Sequence, residues 1–407
     1  MTFGSDARPH VLVTGGAGYI GSHTTLELLT AGYDVTVLDN LSNASSESLR
    51  RVGSIVGGKI NFWRGDVRDG ALLDRVFGGE EVGQQKISAV VHFAALKSAP
   101  ESVDNPLDYY NCNVSGTISL LTAMSRHNIN SFVFSSTAAV YGTPQQGVKL
   151  IPEQHDTRPE NPYGRSKLMV ENIIRDVCTA NKDMRAVILR YFNPVGAHES
   201  GIIGESPRGT PGNLVPYVLQ TVAGQRSHLN VTGLDWPTVD GSGVRDFIHV
   251  VDLAKGHVAA LSYAKQLHQS TPATVSSTAI LADPTIHPTC PTFNMGTGSG
   301  SSVLQLISTM ESVTGLPVPW VKAPRRPGDV AEVVANPAKA NGTLGWEASL
   351  GVEEMCRDAW RWKSENMDGY DGPEGPVGVE VKEGVRVVIG GGAEREGREP
   401  GSPGPNR

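Results

Sequence analysis

The sequence predicts an α/β fold, a doubly wound parallel sheet with a smaller, loop-rich C-terminal lobe, on three observations. Over residues 11–193, short apolar runs rich in β-branched residues alternate with helix-length amphipathic stretches, the pattern of a parallel sheet covered by helices on both faces. A glycine-rich turn stands directly between the first of these runs and the first helix-length stretch. Beyond Asn193 the alternation gives way to loops rich in Gly, Pro and Asn. Six strands are predicted, at 11–14, 34–39, 61–64, 89–93, 132–135 and 186–191, each short and apolar enough to be buried on both faces. Two long helices follow from apolar residues at helical spacing. One spans 162–181 with Val170, Ile173, Ile174 and Val177; the other spans 105–127 with Leu107, Val114, Ile118 and Leu121.

The first domain is read as residues 1–193, with later elements near 243–263 returning to it. Residues 194–368 form mainly the second lobe, with helical pieces at 215–223, 250–261 and 303–314. Residues 264–291, rich in Ser, Thr and Pro without periodicity, read as a surface insert. The segment 369–407 holds eleven glycines and five prolines in thirty-nine residues. It buries too little apolar surface to offset ordering entropy and reads as disordered.

Composition narrows the function. The 407 residues are 39% hydrophobic, enough for a sizeable core, and 35 Lys and Arg against 42 Asp and Glu leave a net charge of −7. No basic stripe tracks a phosphate backbone, so nucleic acid is not an expected partner. No run approaches the roughly 18 apolar residues of a membrane span, and the first ten residues lack the apolar stretch of a secretory signal. The four cysteines are scattered and suggest neither a disulfide framework nor a zinc site. A cytoplasmic protein is expected. No histidines stand at metal-ligand spacing beside acids; His249 and His257 read as support for a helix face, and no metal is expected.

The first glycine turn reads Thr14-Gly15-Gly16-Ala17-Gly18-Tyr19-Ile20-Gly21. Glycines at 15, 18 and 21 let the backbone turn sharply, approach a pyrophosphate and bring the helix close to the sheet, while the helix start offers free N–H groups to the anion. This context marks a Rossmann-type dinucleotide site formed by Gly15, Gly18, Tyr19, Ile20 and Gly21. Asp39 ends the second strand eighteen residues past Gly21, where a carboxylate accepts from adenosine ribose hydroxyls and repels a 2′-phosphate, favouring NAD over NADP. Asn40 beside it, and Asp66 and Val67 after the third strand, complete the predicted adenosine side.

Tyr163 and Lys167 lie four apart in Pro162-Tyr163-Gly164-Arg165-Ser166-Lys167 and share a helix face. An ammonium beside a phenol, together with a cationic nicotinamide ring, favours phenolate and lets Tyr163 take a hydroxyl proton. Thr137 runs off the fifth strand at the carboxyl edge, where ligands of such sheets lie. With glycine cradle, strand-end hydroxyl and Tyr-x-x-x-Lys in this order, the chain resembles the extended short-chain dehydrogenase/reductase superfamily. Its closer likeness is to the UDP-glucose 4-epimerase family. The likeness covers roughly residues 9–370 and rests on the stretches VLVTGGAGYIGSH at 11–23, VVHFAALK at 90–97, PYGRSKLMVE at 162–171, RYFNPVGAH at 190–198, GVRDFIHV at 243–250 and APRRPGD at 323–329.

The resemblance implies a tightly held NAD that oxidises carbon 4 of a UDP-sugar and returns the hydride to the opposite face. Tyr163 would serve as base and then acid, Lys167 would hold the nicotinamide ribose and lower the tyrosine pKa, and Thr137 would bridge substrate and phenol. It further implies that Phe93, Ala94, Lys97, Asn113 and Tyr191 line the cofactor, that Arg245 and Arg326 bind the diphosphate, that Asn193, Asn213 and Leu214 line the nucleotide site, and that Asp329 meets its ribose. Helices 105–127 and 162–181 would pair with those of a second subunit in a homodimer.

The family places Ser where this chain has Thr137, Thr where it has Ala139, and commonly an aromatic ring at Thr232. Val333 aligns with a position whose bulk limits room near carbon 2 of the sugar, so a Val there implies space for an N-acetyl group. Related 4,6-dehydratases place Asp-Glu directly after the strand-five Thr, and decarboxylases place a Glu at the second of those positions. Ala138-Ala139 disfavours both. Another NAD-dependent nucleotide-sugar epimerase or dehydratase stays as the alternative, and a non-catalytic NAD-binding regulator as a remote one, since a sensor needs no proton-transfer set.

Overall fold

The computed structural model describes residues 8–79, 86–207, 209, 211–269, 283–326, 329–371 and 383–389. Strands and helices alternate through β1 (His10–Thr14), α1 (Tyr19–Thr30), β2 (Asp34–Asp39), α2 (Glu47–Val56), β3 (Ile60–Arg64), α3 (Gly70–Gly78) and β4 (Ile87–His92). Next come α4 (Ala99–Asp104), α5 (Pro106–Tyr109), α6 (Gly116–Arg126), β5 (Ser131–Thr137), α7 (Pro162–Ala180) and β6 (Arg185–Tyr191). The second half contains β7 (Asn193–Val195), α8 (Leu214–Val222), β8 (Leu229–Thr232), β9 (Val244–His249), α9 (Val250–Gln269), β10 (Thr292–Met295) and β11 (Gly300–Ser302). It ends with α10 (Val303–Thr314), β12 (Trp320–Ala323), β13 (Glu332–Val333), α11 (Ala338–Leu344), α12 (Val352–Glu365) and β14 (Arg386–Ile389).

Among the described residues the main sheet has the order β10-β6-β5-β4-β1-β2-β3-β14. Its pairings are parallel except β14 on β3. The chain runs outward from β1 to β3 and then crosses to β4, so the direction of winding reverses beside β1. That reversal opens a crevice at the carboxyl ends of the strands. Alternation along each strand feeds two cores. Val11, Val13, Val35, Val37, Val91 and Val133 face α1, α2 and α9, whose Leu28, Leu49, Val52 and Leu253 meet them. Leu12, Leu38, Val90, Phe132 and Phe134 face α3, α6 and α7 through Leu72, Val76, Leu120, Met124, Val170 and Ile174. The second lobe holds short sheets, β11-β9-β13 with β7 on β9, and β12 on β8. These close over a core of Val218, Phe247, Leu306, Met310 and Met355.

Local chemistry sets the helix that carries the predicted catalytic pair. Asn161 caps α7 by accepting from Gly164 N at 2.8 Å, and Pro162 at the first helical position gives up no needed donor. Where α7 meets β5 and β6, Glu171 is fully buried and accepts from Ser136 Oγ at 2.6 Å, Arg175 at 2.9 Å and Arg190 at 3.0 and 2.7 Å. Two guanidiniums and a hydroxyl compensate its desolvation and hold the carboxyl down at about 2.

Four features differ from the sequence expectation. The helix over 105–127 is two helices, α5 and α6, joined by a π-helical turn at Tyr110–Ser115. A wider turn has no signature in a 3.6-residue period. The insert read from 264 begins later, because α9 continues to Gln269 and buries Ala264; residues 270–282 lie outside the described residues. Strand β10 returns to the main sheet beside β6, so the elements that rejoin the first domain reach beyond the expected 243–263. The tail read as disordered forms the turn Gly369–Asp371 and strand β14, paired antiparallel to β3 from Arg386↔Trp63 to Ile389↔Ile60. Val387 and Ile389 pack against the core, which gives this short segment the apolar burial that the Gly- and Pro-rich composition around it denies. Residues 372–382 and 390–407 lie outside the described residues.

Glu171→Gln leaves Arg190 and Arg175 buried with their charge uncompensated, and is expected to cost about 3–5 kcal/mol of stability. Urea denaturation of the two proteins measures it.

Candidate active site

The glycine turn is built on close backbone approach. Gly15 adopts φ +71°, donates to Leu38 O at 2.8 Å, and has room for no Cβ, which would fall 2.6 Å from Ala94 N. A Cβ on Gly21 would lie 2.2 Å from Gly15 O. Gly18 precedes α1 with no side-chain cap, leaving the first N–H groups of the helix toward the crevice. Tyr19 opens that helix and donates to Gly196 O at 2.7 Å, while Ile20 packs on the core.

Asp39 is buried, and its two oxygens accept from Ala17 N at 3.0 Å and Leu41 N at 2.8 Å. It therefore laces the glycine turn to the end of β2; burial raises its pKa, and the two amides oppose that rise. Asn40 donates to Asp66 at 3.1 Å, and Arg68 takes both Asp66 oxygens at 2.8 and 2.7 Å, which holds that carboxyl at about 2. Val67 packs into the core beneath.

After β4, Phe93 N and Ala94 N both donate to Thr14 O, drawing this loop against the glycine turn. Asn113, carried on the π-helical turn, exchanges hydrogen bonds with Leu96 at 2.8 and 3.1 Å and donates to Ser166 Oγ at 2.9 Å. It locks the loop to α7 one residue before Lys167. Lys97 is exposed and pairs with Glu205 at 3.2 Å.

Lys167 is buried, donates to Ser135 O at 2.7 Å and lies over the Phe134 ring at 4.9 Å. Desolvation lowers it to about 8, with Cys112 and Glu171 opposing the fall. Thr137 Oγ accepts from Ala139 N at 3.1 Å, and its side chain is hydrogen-bonded to Tyr163. Burial raises the Tyr163 phenol and the Thr137 bond lowers it. The Lys167 ammonium is held on the Ser135 carbonyl, and burial is the largest influence on the Tyr163 phenol. Tyr191 ends β6 with its hydroxyl on His257, beside Phe93.

The residues predicted for the nucleotide side gather in the second lobe. Asn193 donates to Asp246 O at 3.0 Å, Asn213 precedes α8 and reaches Glu205 at 3.5 Å, and Leu214 is the first residue of that helix. Arg245 and Val333 are register partners across β9 and β13. Burial lowers Arg245, the Asp329 charge opposes that fall, and Arg326 adds to it. Arg326 and Asp329 pair with each other at 3.2 Å, and Thr232 reaches Asp329 at 3.4 Å. Beside Thr232, the Arg325 guanidinium stacks on Trp236 at 3.5 Å.

Sequence reasoning missed Glu171 with Arg190, Glu205 between Lys97 and Asn213, and the Tyr191–His257 pair. None has a spacing signal, since each partner comes from a distant element.

A family model described as the NAD dependent epimerase/dehydratase family matches residues 11–271. The chain belongs to this family. The UDP-glucose 4-epimerase of Bacillus subtilis is 49% identical over 364 residues, covering 89% of this chain and 99% of the relative. The enzyme of that name from Homo sapiens is 49% identical over 367 residues, covering 88% of this chain and 98% of its own. Among solved structures, UDP-glucose 4-epimerase from Bifidobacterium longum in complex with NAD+ and UDP superposes with a TM-score of 0.79 at 44% identity, covering 89% of this chain and all of that one.

Proposed function

We propose that this chain is an NAD-dependent UDP-glucose 4-epimerase, interconverting UDP-galactose and UDP-glucose through a transient 4-keto sugar. The observation that carries the reading is the convergence of Tyr163, its Thr137 partner and the buried Lys167 at the carboxyl edge beside the glycine turn. The relatives and their ligands support it. The cradle suits a dinucleotide, because α1 starts after Gly18 with no side-chain cap on its first N–H groups, and Gly15 and Gly21 let the turn pack tightly against its neighbours. Gly15, Gly18, Tyr19, Ile20 and Gly21 would hold its pyrophosphate side, Asp39, Asn40, Asp66 and Val67 its adenosine side, and Phe93, Ala94, Lys97, Asn113, Lys167 and Tyr191 the remainder. A nicotinamide dinucleotide held there would supply the hydride acceptor and, on the return, the hydride donor for carbon 4 of the sugar.

The chain's own part is proton handling and anchoring. Tyr163 takes the proton of the 4-hydroxyl and later returns it; Thr137 orients that hydroxyl and the phenol together. A phenol raised by burial needs positive charge nearby to ionise near neutrality, and Lys167, with its pKa near 8, is mostly an ammonium there. Arg245 and Arg326 would grip the diphosphate with planar donor forks, for which Arg326 gives up its solvent-facing pair with Asp329 and frees that carboxylate for the ribose. Asn193, Asn213 and Leu214 would line the nucleotide. Such an anchor uses binding energy away from the reacting carbon and lets the sugar turn between half-reactions.

Purified protein is expected to convert UDP-galactose to UDP-glucose without added NAD, as chromatography of the nucleotide sugars would show. Thr137→Val, which keeps the volume and removes the hydroxyl, is expected to lower kcat by about 10²-fold or more. Unchanged turnover would remove Thr137 from the mechanism. Val333 packs against the cluster of Val140, Tyr141 and Phe192, and its small side chain favours acceptance of UDP-N-acetylglucosamine. The same assay would yield UDP-N-acetylgalactosamine, and no product counts against that room.

The reading includes a homodimer through α5, α6 and α7. Leu107 is 78% exposed, and Ile118 and Met169 are each 46% exposed. Leu107→Glu with Met169→Glu is expected to halve the particle mass in sedimentation. An unchanged mass contradicts the interface. Among the described residues no helix is long and apolar enough to cross a membrane, and the four thiols are free, which suits a cytoplasmic protein; recovery with the soluble cell fraction checks it.

A further inference from the structure

The ring of Tyr163 packs against a second phenol that the proposed chemistry does not use. Tyr109, the last residue of α5, is fully buried and meets the Tyr163 ring edge-on, the centroids 6.4 Å apart and the planes at 80°. Its hydroxyl donates to Glu101 Oε2 at 3.0 Å and accepts from Ser98 N at 3.0 Å. A phenol carries one proton, and this one is given to Glu101, so Tyr109 supplies no proton to the chemistry. Burial and the Glu101 carboxylate also raise its pKa, which keeps it a neutral phenol. Ser98 is the capping residue of α4 and Glu101 lies in the first turn of that helix. The Tyr109 ring is thus held at its hydroxyl by α4 and at its backbone by α5.

Tyr163 is fixed at its backbone and at its oxygen. Its carbonyl accepts from Ser166 Oγ at 2.8 Å, and that oxygen accepts from Asn113 at 2.9 Å; its hydroxyl is hydrogen-bonded to Thr137. Between these points the ring is free to tilt about its own torsions unless a neighbour blocks it, and a tilt carries the oxygen away from Thr137. We propose that Tyr109 is a positioning residue, a ring tied down by Glu101 and Ser98 N that walls the Tyr163 ring and keeps its oxygen within reach of Thr137 and of the sugar hydroxyl. The inference rests on the proposed role of Tyr163 as proton acceptor. Proton transfer needs the two oxygens within about 3.2 Å of each other, and a misplacement of roughly 1 Å costs up to about 10²-fold in rate. Both partners of the Tyr109 hydroxyl belong to α4 in the first domain, whereas the residues expected to hold the nucleotide gather in the second lobe. The wall therefore bears on kcat more than on KM.

The test compares Tyr109 variants in UDP-galactose turnover. Tyr109→Leu and Tyr109→Met both remove the ring, the second filling its space with a flexible chain. Each is expected to lower kcat about tenfold or more, with KM changed less than kcat, and to enlarge the solvent deuterium isotope effect on kcat, because proton transfer then limits turnover. Tyr109→Phe keeps the ring and should retain most of the parent kcat with the parent isotope effect. A merely structural role would lower the melting temperature and leave the kcat of the folded protein and its isotope effect unchanged; that outcome overturns the proposal, as does a loss in Tyr109→Phe equal to that in Tyr109→Met. Should Tyr109→Leu not fold, Tyr109→Met decides the matter, since an uninvolved ring would leave its kcat at the parent value. A second readout needs no turnover. In protein labelled with 3-fluorotyrosine, the Tyr163 fluorine resonance, identified by its loss in Tyr163→Phe, is expected to be split in the parent by slow flipping of a walled ring and to merge into a single averaged line in Tyr109→Met. Identical spectra overturn the proposal. If the parent failed to epimerise while this spectral difference was present, the proposed function would be defeated and the wall would stand.

Discussion

Glu171 is the constraint on which the site depends. It is fully buried, and its carboxylate accepts from Arg190 on β6, Arg175 on α7 and Ser136 on β5. A charge in that position persists only because every partner is present. The partners are the neighbours of the predicted catalytic groups: Ser136 precedes Thr137, Arg190 precedes Tyr191, and Glu171 itself stands one helical turn beyond Lys167. The ion cluster therefore fixes the mutual register of the three elements that bring Thr137, Tyr163, Lys167 and Tyr191 together. A hydrophobic contact would tolerate sliding; a bidentate guanidinium does not.

The remaining fixation comes from backbone groups and amides. Asp39 ties the glycine turn to β2, Thr14 O gathers Phe93 and Ala94 beside it, and Asn113 joins the loop after β4 to α7. The crevice is thus held together by the chain's own hydrogen bonds. In the second lobe Arg326 is largely exposed and pairs with Asp329.

The sheet was legible because its strands are buried on both faces and so read as uninterrupted β-branched runs; β2 matches its expected span and the others differ by only a few residues. The glycine turn and Tyr163–Lys167 were legible for a different reason, since their chemistry dictates spacing within one element. Glu171 and Arg190 were not, because a charge on a helix or strand reads as a solvated face until its partner from another element is known. His257 looked like a helix-face residue for the same reason. Strand β14 was hidden by averaging: Val387 and Ile389 alternate as a strand requires, but the surrounding glycines and prolines set the composition of the whole tail. The π-helical turn that carries Asn113 escaped because its widened period mimics a continuous helix.

The central claim is that the hydrogen on carbon 4 leaves and returns within a closed site while only the hydroxyl proton passes through Tyr163. Conversion of UDP-galactose deuterated at carbon 4, run to equilibrium in ordinary water, tests it most directly. The account predicts UDP-glucose with the deuterium retained at carbon 4. Loss of the label to solvent would show that the carbon is deprotonated rather than oxidised, and would contradict it.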